Sequence, residues 1–86
     1  MISGAQIRAA RALLGMSGTE LSEKAGVGWS TVQRFESSDD VPGSKAGTLE
    51  KIRTTLEAHG IEFLGDPVSS PGVQLKRAHS KATTDP

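Results

Sequence analysis

Residues 17–36 read SGTELSEKAGVGWSTVQRFE, and this stretch decides the fold. Ser17, followed three residues later by Glu20, matches a capping box, a pattern that satisfies the unpaired amides at the start of a helix. Gly26 ends that short helix, because glycine readily adopts the left-handed conformation that terminates helices. A second helix follows at once, from about residue 28 to residue 37. The stretch therefore predicts two short helices separated by a tight turn.

The apolar residues of this stretch are spaced so that the two helices pack on each other. They are Leu21, Ala25, Val27, Val32 and Phe35. The small side chains at Ala25 and Gly26 allow the two helices to approach closely at the turn. This spacing predicts a helix-turn-helix arrangement, in which the second helix projects from the domain and can enter a major groove of DNA.

Two further helices flank this pair. Ser3 and Gln6 match a second capping box, and the helix that they start ends at Gly15. Its apolar positions are Ile7, Ala10, Leu13 and Leu14. The last helix starts between residues 44 and 48 and ends at His59, which we expect to cap it. Its buried positions are Leu49, Ile52 and Leu56. Helical spacing therefore predicts a mostly α domain.

The pattern changes to β type after the last helix. Residues 61–64 and 73–76 predict an antiparallel hairpin, separated by the Gly-, Pro- and Ser-rich segment 65–72. A two-stranded hairpin is marginal by itself and leaves open edges, so we expect two chains to pair through this segment. The side chains expected to mediate dimerisation are Ile61, Phe63, Leu64, Val73 and Leu75. Residues 78–86 have nothing to bury and are expected to be disordered.

The composition excludes several classes of protein. The 86 residues suffice for one small domain. The absence of cysteine excludes a disulfide scaffold and a thiolate zinc site, and His59 and His79 are too isolated to bind a metal unaided. No apolar stretch approaches the roughly 18 residues of a membrane span, and no signal-peptide core follows Met1, so we expect a cytoplasmic protein. No Ser, His and Asp spacing resembles a catalytic set, which favours binding over catalysis.

The charge is balanced overall but unevenly distributed. Ten Lys and Arg residues match ten Asp and Glu residues. Residues 1–38 carry four basic and three acidic side chains. Residues 39–66 carry three basic and six acidic side chains, and residues 67–86 carry three basic and one acidic side chain. A nucleic-acid-binding protein usually carries an excess of basic side chains, and this chain as a whole has no such excess. Any argument for DNA binding must therefore come from local geometry.

The two-helix stretch resembles the Cro/repressor-type, or xenobiotic-response-element, helix-turn-helix regulators. The resemblance runs from Ile7 to about Leu56 and is strongest at Glu20–Leu21, Lys24–Val27, Ser30–Val32 and Glu36. It implies a four-to-five-helix, repressor-like DNA-binding domain over residues 1–60, followed by a β-hairpin dimerisation segment over residues 61–77. It also implies a bacterial protein that lies on the nucleoid when bound. Small single-domain members of this family often serve phages or integrative elements.

In this family, exposed residues of the second helix contact the base edges. The resemblance therefore implies base contacts from Gly28, Trp29, Ser30, Gln33 and Arg34. Arg34 is the best base reader by chemistry, because its guanidinium can pair with guanine O6 and N7. For Arg34 and Gln33, the alternative is an ordinary exposed position on a helix. Trp29 either packs against its own domain or contacts DNA, through a thymine methyl, a sugar or a phosphate.

The resemblance also implies contacts to the DNA backbone. The implied phosphate contacts are Arg11, Ser17, Gly18, Thr19, Thr31, Ser44 and Lys45. Amides at a helix start suit a phosphate, although Gly18 stands where the family often has a glutamine. Thr31 is equally compatible with an ordinary half-buried helix position. Arg11 and Glu36 resemble the family's paired Arg and Glu, which tie the first helix to the recognition helix.

These features lead to two hypotheses of different classes. The first is a sequence-specific regulator of transcription, a homodimeric repressor that binds double-stranded DNA at a palindromic operator. It needs no cofactor, and we expect no metal, small-molecule ligand or membrane partner. The second is a protein-interaction module, such as an antitoxin or anti-activator that keeps the fold; the zero net charge and the acidic segment 39–66 favour it.

Overall fold

Four helices and a two-stranded sheet make up the part of the chain that the structure describes. The structure is a computed structural model and describes residues 1–43 and 47–76. The elements are α1 (Gly4–Leu14), α2 (Gly18–Ala25), α3 (Trp29–Glu36), α4 (Thr48–Ala58), β1 (Ile61–Leu64) and β2 (Gly72–Leu75). The mostly helical class and the C-terminal hairpin are thus confirmed. The predicted contacts Ser44 and Lys45 and the predicted disordered tail 78–86 lie outside the described residues.

Both predicted capping boxes are present, and they set the starts of α1 and α2. The Ser3 Oγ accepts from the Gln6 amide at 3.2 Å, while the Ser3 amide donates to Gln6 Oε1 at 3.0 Å. Ser17 and Glu20 repeat this exchange at the start of α2. Each helix then ends at a glycine of positive φ, as expected: Gly15 at 64° and Gly26 at 71°.

The ends of α3 and α4 are capped differently. The N-cap of α3 is Gly28, which has no side chain to cap the helix, and the C-cap is Ser37 in a right-handed conformation. Neither end of α3 therefore has the strong local signals of α1 and α2. The C-cap of α4 is His59, and its Nδ1 donates to the Thr55 carbonyl at 2.8 Å, which confirms the predicted capping role.

One apolar core joins all four helices to β1. Its buried side chains are Ile2, Ile7, Ala10, Met16, Leu21, Ala25, Val32, Phe35, Ile52, Leu56 and Ile61. Leu49 and Leu14 pack against this core but are only partly buried. Leu13 is 44% exposed, so its grouping with the apolar positions of α1 did not predict burial. The helical period assigns Leu13 to the flank of α1, where no neighbouring element covers it.

The beginning of α1 lies directly against the end of α3. A Cβ atom placed on Gly4 would overlap the carbonyl oxygens of Phe35 and Ser38. The Gly4 amide also donates to the Asp40 carbonyl at 3.0 Å. Only glycine permits this approach of two backbones, so Gly4 helps determine where α3 ends relative to α1.

The hairpin is part of the domain rather than an isolated unit. Ile61 pairs with Leu75 and Phe63 with Val73, in the antiparallel arrangement that the sequence predicts. β2 begins at Gly72, one residue before the predicted strand. The buried Gln6 side chain donates from Nε2 to the carbonyls of Leu64 at 3.2 Å and Gly72 at 3.0 Å. These two bonds attach the end of the hairpin to α1.

Candidate functional site

The candidate site is built on α2, α3 and the three residues between them. After Gly26, the Val27 amide donates to the Ser22 carbonyl at 3.1 Å, and Gly28 then becomes the N-cap of α3. Val27 is half-buried and packs against the core. The two helices are therefore joined by a turn of three residues, and burial of Val27 at its centre holds α3 in a defined direction.

One side of α3 is buried and the other faces solvent. Val32 and Phe35 are each 1% exposed. Ser30, Gln33 and Arg34 are exposed, and Trp29 is 50% exposed despite its size. These four side chains and Gly28 are the predicted base contacts, and the structure brings them together on one surface, here called the α3 face. Thr31 lies at its margin and is half-buried, which is compatible with either predicted role.

The α3 face is polar and free of negative charge. No acidic residue occurs between Gly28 and Phe35. The Arg34 guanidinium carbon lies 5.1 Å from the centroid of the Phe35 ring, close enough for a cation–π contact. This contact favours one position of the Arg34 side chain, with the guanidinium at the surface of the helix.

The start of α2 lies next to the α3 face. The nearest heavy atom to a Cβ built on Gly18 is Trp29 Nε1, at 3.8 Å. The Ser17 amide donates to Glu20 Oε1 at 3.1 Å and the Glu20 amide to Ser17 Oγ at 3.0 Å. Because the first amides of a helix have no intrahelical acceptor, those of Gly18 and Thr19 are left for an external one. The Glu20 carboxylate places a negative charge beside these two amides, and this charge would repel a phosphate.

Arg11 and Glu36 form the predicted link between α1 and α3. The Arg11 Nε donates to Glu36 Oε2 and Nη2 to Oε1, both at 2.7 Å, while Nη1 donates to the Met16 carbonyl at 2.9 Å. The hydrogen bond and charge of Glu36 raise the pKa of Arg11 above its ordinary value. All three nitrogens of this guanidinium are therefore engaged within the domain, which makes Arg11 mainly a structural link.

Arg8 is a second link that the sequence reasoning did not single out. Its Nη1 donates to the Glu36 carbonyl at 2.6 Å and to the Ser38 carbonyl at 3.4 Å, and its Nη2 pairs with the Asp39 carboxylate. A cation at these carbonyls also complements the negative end of the α3 dipole. The only signal in the sequence is the spacing of Arg8 and Arg11, which places both on one side of α1.

The predicted dimerisation side chains mostly face their own domain. Ile61 is buried at 4% exposure, and Phe63, Val73 and Leu75 are half-buried against the core. Residues opposite each other in an antiparallel pair share a face of the sheet, so this burial follows from the register. Leu64 is the most exposed of the five, at 38%. The other four stabilise the protomer, and dimerisation through the hairpin stays a prediction.

Comparison with known proteins assigns no family to the chain. No family model matches it, and a search of curated proteins finds no significant match. Within residues 1–43 and 47–76, every helix is too short or too polar to cross a membrane. The same ranges contain no cluster of three or more His, Asp or Glu residues that could hold a metal ion.

Proposed function

We propose that this chain is a sequence-specific regulator of transcription that reads double-stranded DNA with the α3 face. The observation that carries the proposal is the combination of an exposed, acid-free surface on α3 with firm attachment of that helix at its C-terminal end. Trp29 and Arg34 are the largest side chains on this surface. Arg8 and Arg11 hold the opposite end of α3.

The dimensions of α3 suit a major groove. Its eight residues span about 12 Å, and the groove of B-form DNA admits an α-helix. The short turn at Val27 leaves the exposed side of α3 uncovered by α2. A helix that enters the groove with its first residues leading would bring Ser30 to the bases first and Arg34 one turn later.

The chemistry of the α3 face favours nucleic acid over a protein pocket. Arg34 can donate two hydrogen bonds to guanine O6 and N7, which is worth about 1–3 kcal/mol of discrimination against another base. Gln33 can donate to and accept from an adenine, or donate to a phosphate. Base readout also requires a recognition helix of fixed orientation, which the contacts of Arg8 and Arg11 with the end of α3 support.

The simplest mechanism for a protein of this size is steric repression. A homodimer would place its two α3 helices in successive major grooves, roughly 34 Å apart on one side of the duplex. The operator would then be an inverted repeat, and the bound dimer would cover a promoter and exclude polymerase.

Selection of binding sites from random duplex DNA at physiological salt tests the proposal. The wild-type protein is expected to enrich an inverted repeat. Arg34→Ala is expected to lose the preference for one base pair per half-site, because one pair of base contacts is removed. Lys51→Ala is a matched control that removes an exposed positive charge from α4. An Arg34→Ala protein with the wild-type preference would contradict the assignment of Arg34.

The second candidate is a protein-interaction module that keeps the same fold. Residues 39–66 carry six acidic against three basic side chains, a surface that suits a basic protein partner better than DNA. A folded protein that enriches no DNA sequence in the selection would support this candidate and contradict the regulator. Affinity capture of a protein partner would then be the next experiment.

A further inference from the structure

The position of the Trp29 ring restricts what this side chain can contact. Trp29 is the first residue of α3, yet its indole nitrogen leans toward Gly18, the first residue of α2. The nitrogen lies 3.8 Å from the place that a Gly18 Cβ would occupy, which is ordinary van der Waals contact. The polar edge of the indole is therefore turned toward the other helix, away from the C-terminal part of the α3 face.

Gly18 makes this position of the indole possible. Any side chain at residue 18 begins with a Cβ in contact with Trp29 Nε1, and a longer one would cover the nitrogen or displace the ring. The Gly18 φ angle is in the ordinary helical range, since Gly18 is not among the glycines of positive φ. Backbone conformation therefore does not require glycine here, and the space beside the indole admits a methyl group but not a longer side chain without covering the nitrogen or moving the ring.

We propose that Trp29 contacts the DNA backbone and not a base, with its Nε1–H donating to a phosphate beside Gly18. This inference rests on the proposed function. An indole Nε1–H is a donor only, and a phosphate oxygen offers only acceptors. In helix-turn-helix docking the first helix of the pair crosses the DNA backbone, so an N–H turned toward α2 is turned toward the phosphates. Gly18 and Trp29 thereby act as a coupled pair.

The Trp29→Phe variant separates this role from base reading. Phenylalanine keeps an aromatic ring but lacks the N–H group. Loss of one hydrogen bond from an uncharged donor to a charged phosphate is expected to weaken binding about tenfold or more on every duplex alike, and the ratio of operator to scrambled affinity stays unchanged. The slope of log affinity against log salt also stays unchanged, because no charge is removed.

The Gly18→Ala variant tests the coupling. Its methyl group fits at 3.8 Å, so the fold is retained, but the methyl shields the indole nitrogen. We expect Gly18→Ala to weaken DNA binding in the wild-type background and to have little further effect in the Trp29→Phe background. Gly43→Ala is the control, because among the described residues a Cβ at Gly43 has no neighbour within 4 Å.

Tryptophan fluorescence provides a readout that does not require DNA. Trp29 is the only tryptophan in the chain, so all indole emission comes from it. Gly18→Ala is expected to shift this emission in the free protein, whereas Gly43→Ala is not. An unchanged spectrum for Gly18→Ala would contradict the placement of the indole beside Gly18.

The possible outcomes distinguish this inference from the proposed function. If wild type selects an operator and Trp29→Phe binds as tightly as wild type, the phosphate contact is wrong and the regulator stands. If the loss is confined to particular base pairs, Trp29 is a base reader and the inference is likewise wrong. If wild type enriches no duplex sequence and binds none, both proposals fail together. A uniform loss with non-additive variants supports the inference.

Discussion

Replacing Arg11 with alanine is expected to lower the free energy of unfolding by about 3 kcal/mol. Arg11 makes two 2.7 Å hydrogen bonds to the Glu36 carboxylate and one of 2.9 Å to the Met16 carbonyl. The Glu36 side chain is only 11% exposed and would remain without its partner. The substitution therefore leaves a mostly buried carboxylate facing an empty space.

The magnitude follows from the burial of the two side chains. Removal of one partner from a fully buried ion pair costs about 3–5 kcal/mol. Arg11 is 26% exposed, so water can reach part of the vacated position and the loss lies at the lower end of that range. Alanine has the highest helix propensity, so α1 itself loses no intrinsic stability. Glu36 raises the pKa of Arg11 further above its ordinary value, and the guanidinium is charged throughout the neutral range.

Urea unfolding at neutral pH measures this loss directly. A domain of 86 residues is expected to have a total stability of roughly 4–13 kcal/mol, so a loss of about 3 kcal/mol is a large fraction of it. The corresponding decrease in Tm is roughly 12–24 °C. The unfolding slope should not change, because the variant buries nearly the same surface.

Arg53→Ala is the matched control. Arg53 also pairs with carboxylates, but those of Glu50 and Glu57 are 55% and 40% exposed, against 11% for Glu36. Its removal is expected to cost much less than that of Arg11, because water can solvate the carboxylates left behind. If Arg11→Ala and Arg53→Ala reduce stability equally, the reasoning from burial is refuted.

Four further predictions concern single contacts. Gly4→Ala is expected to destabilise the domain by about 3 kcal/mol in urea unfolding, because the new methyl overlaps the backbone carbonyls of Phe35 and Ser38. Gln6→Glu keeps the capping box but places a carboxylate against two carbonyls; hydrogen exchange should accelerate in β1 and β2 more than in α2. Glu20→Gln also keeps its capping box and removes a negative charge beside the α3 face, so duplex DNA should bind about two- to fivefold more tightly at low salt. Asp66→Ala should destabilise the hairpin loop at neutral pH and do so less as the pH falls below about 3.8. The amides of Ser69 and Val68 lower the folded pKa of Asp66, so its stabilising contribution is present above that pH and lost as the carboxylate is protonated.

Three of these predictions have a control in the same chain, and the fourth is checked by its pH dependence. Gly43→Ala introduces a methyl that meets no described atom within 4 Å and should be neutral, and equal losses for Gly4 and Gly43 would contradict the steric argument. Gln33→Glu adds the same charge on the exposed side of α3, away from the hairpin, and should not accelerate exchange in β1 and β2. Glu23→Gln removes a charge one turn further along α2, where the effect on DNA affinity should be smaller. A pH-independent effect of Asp66→Ala would refute the role of its charge.

The helix boundaries were predictable from the sequence because the interactions that set them are local. Ser3 and Gln6 exchange hydrogen bonds across three residues, as do Ser17 and Glu20. Gly26 needs no distant partner to adopt its positive φ. The exposed face of α3 was also predictable, because the period of the helix places Val32 and Phe35 on the opposite side.

The contacts between elements could not be derived in the same way. Arg11 and Glu36 were expected only through a family resemblance, since they are 25 residues apart. Arg8 binds carbonyl groups 28 and 30 residues away, and carbonyls carry no side-chain signature that a sequence pattern could reveal. The sequence also could not reveal that the Trp29 nitrogen lies beside Gly18, because that contact joins the starts of two different helices.

In the hairpin, the sequence determined where the strands lie, and the tertiary structure decided which of its faces is buried. Alternation and turn residues predicted that residues 61–64 and 73–76 pair as two strands, within one residue of the observed β2, because that pattern is local. Which face of the hairpin meets the core depended on the other elements, since Ile61 lies in the core shared with the helices and Phe63, Val73 and Leu75 pack against it. The Gln6 side chain of α1 also binds carbonyls of both strands, 58 and 66 residues away. A period of two residues is equally consistent with either face until another element covers one of them.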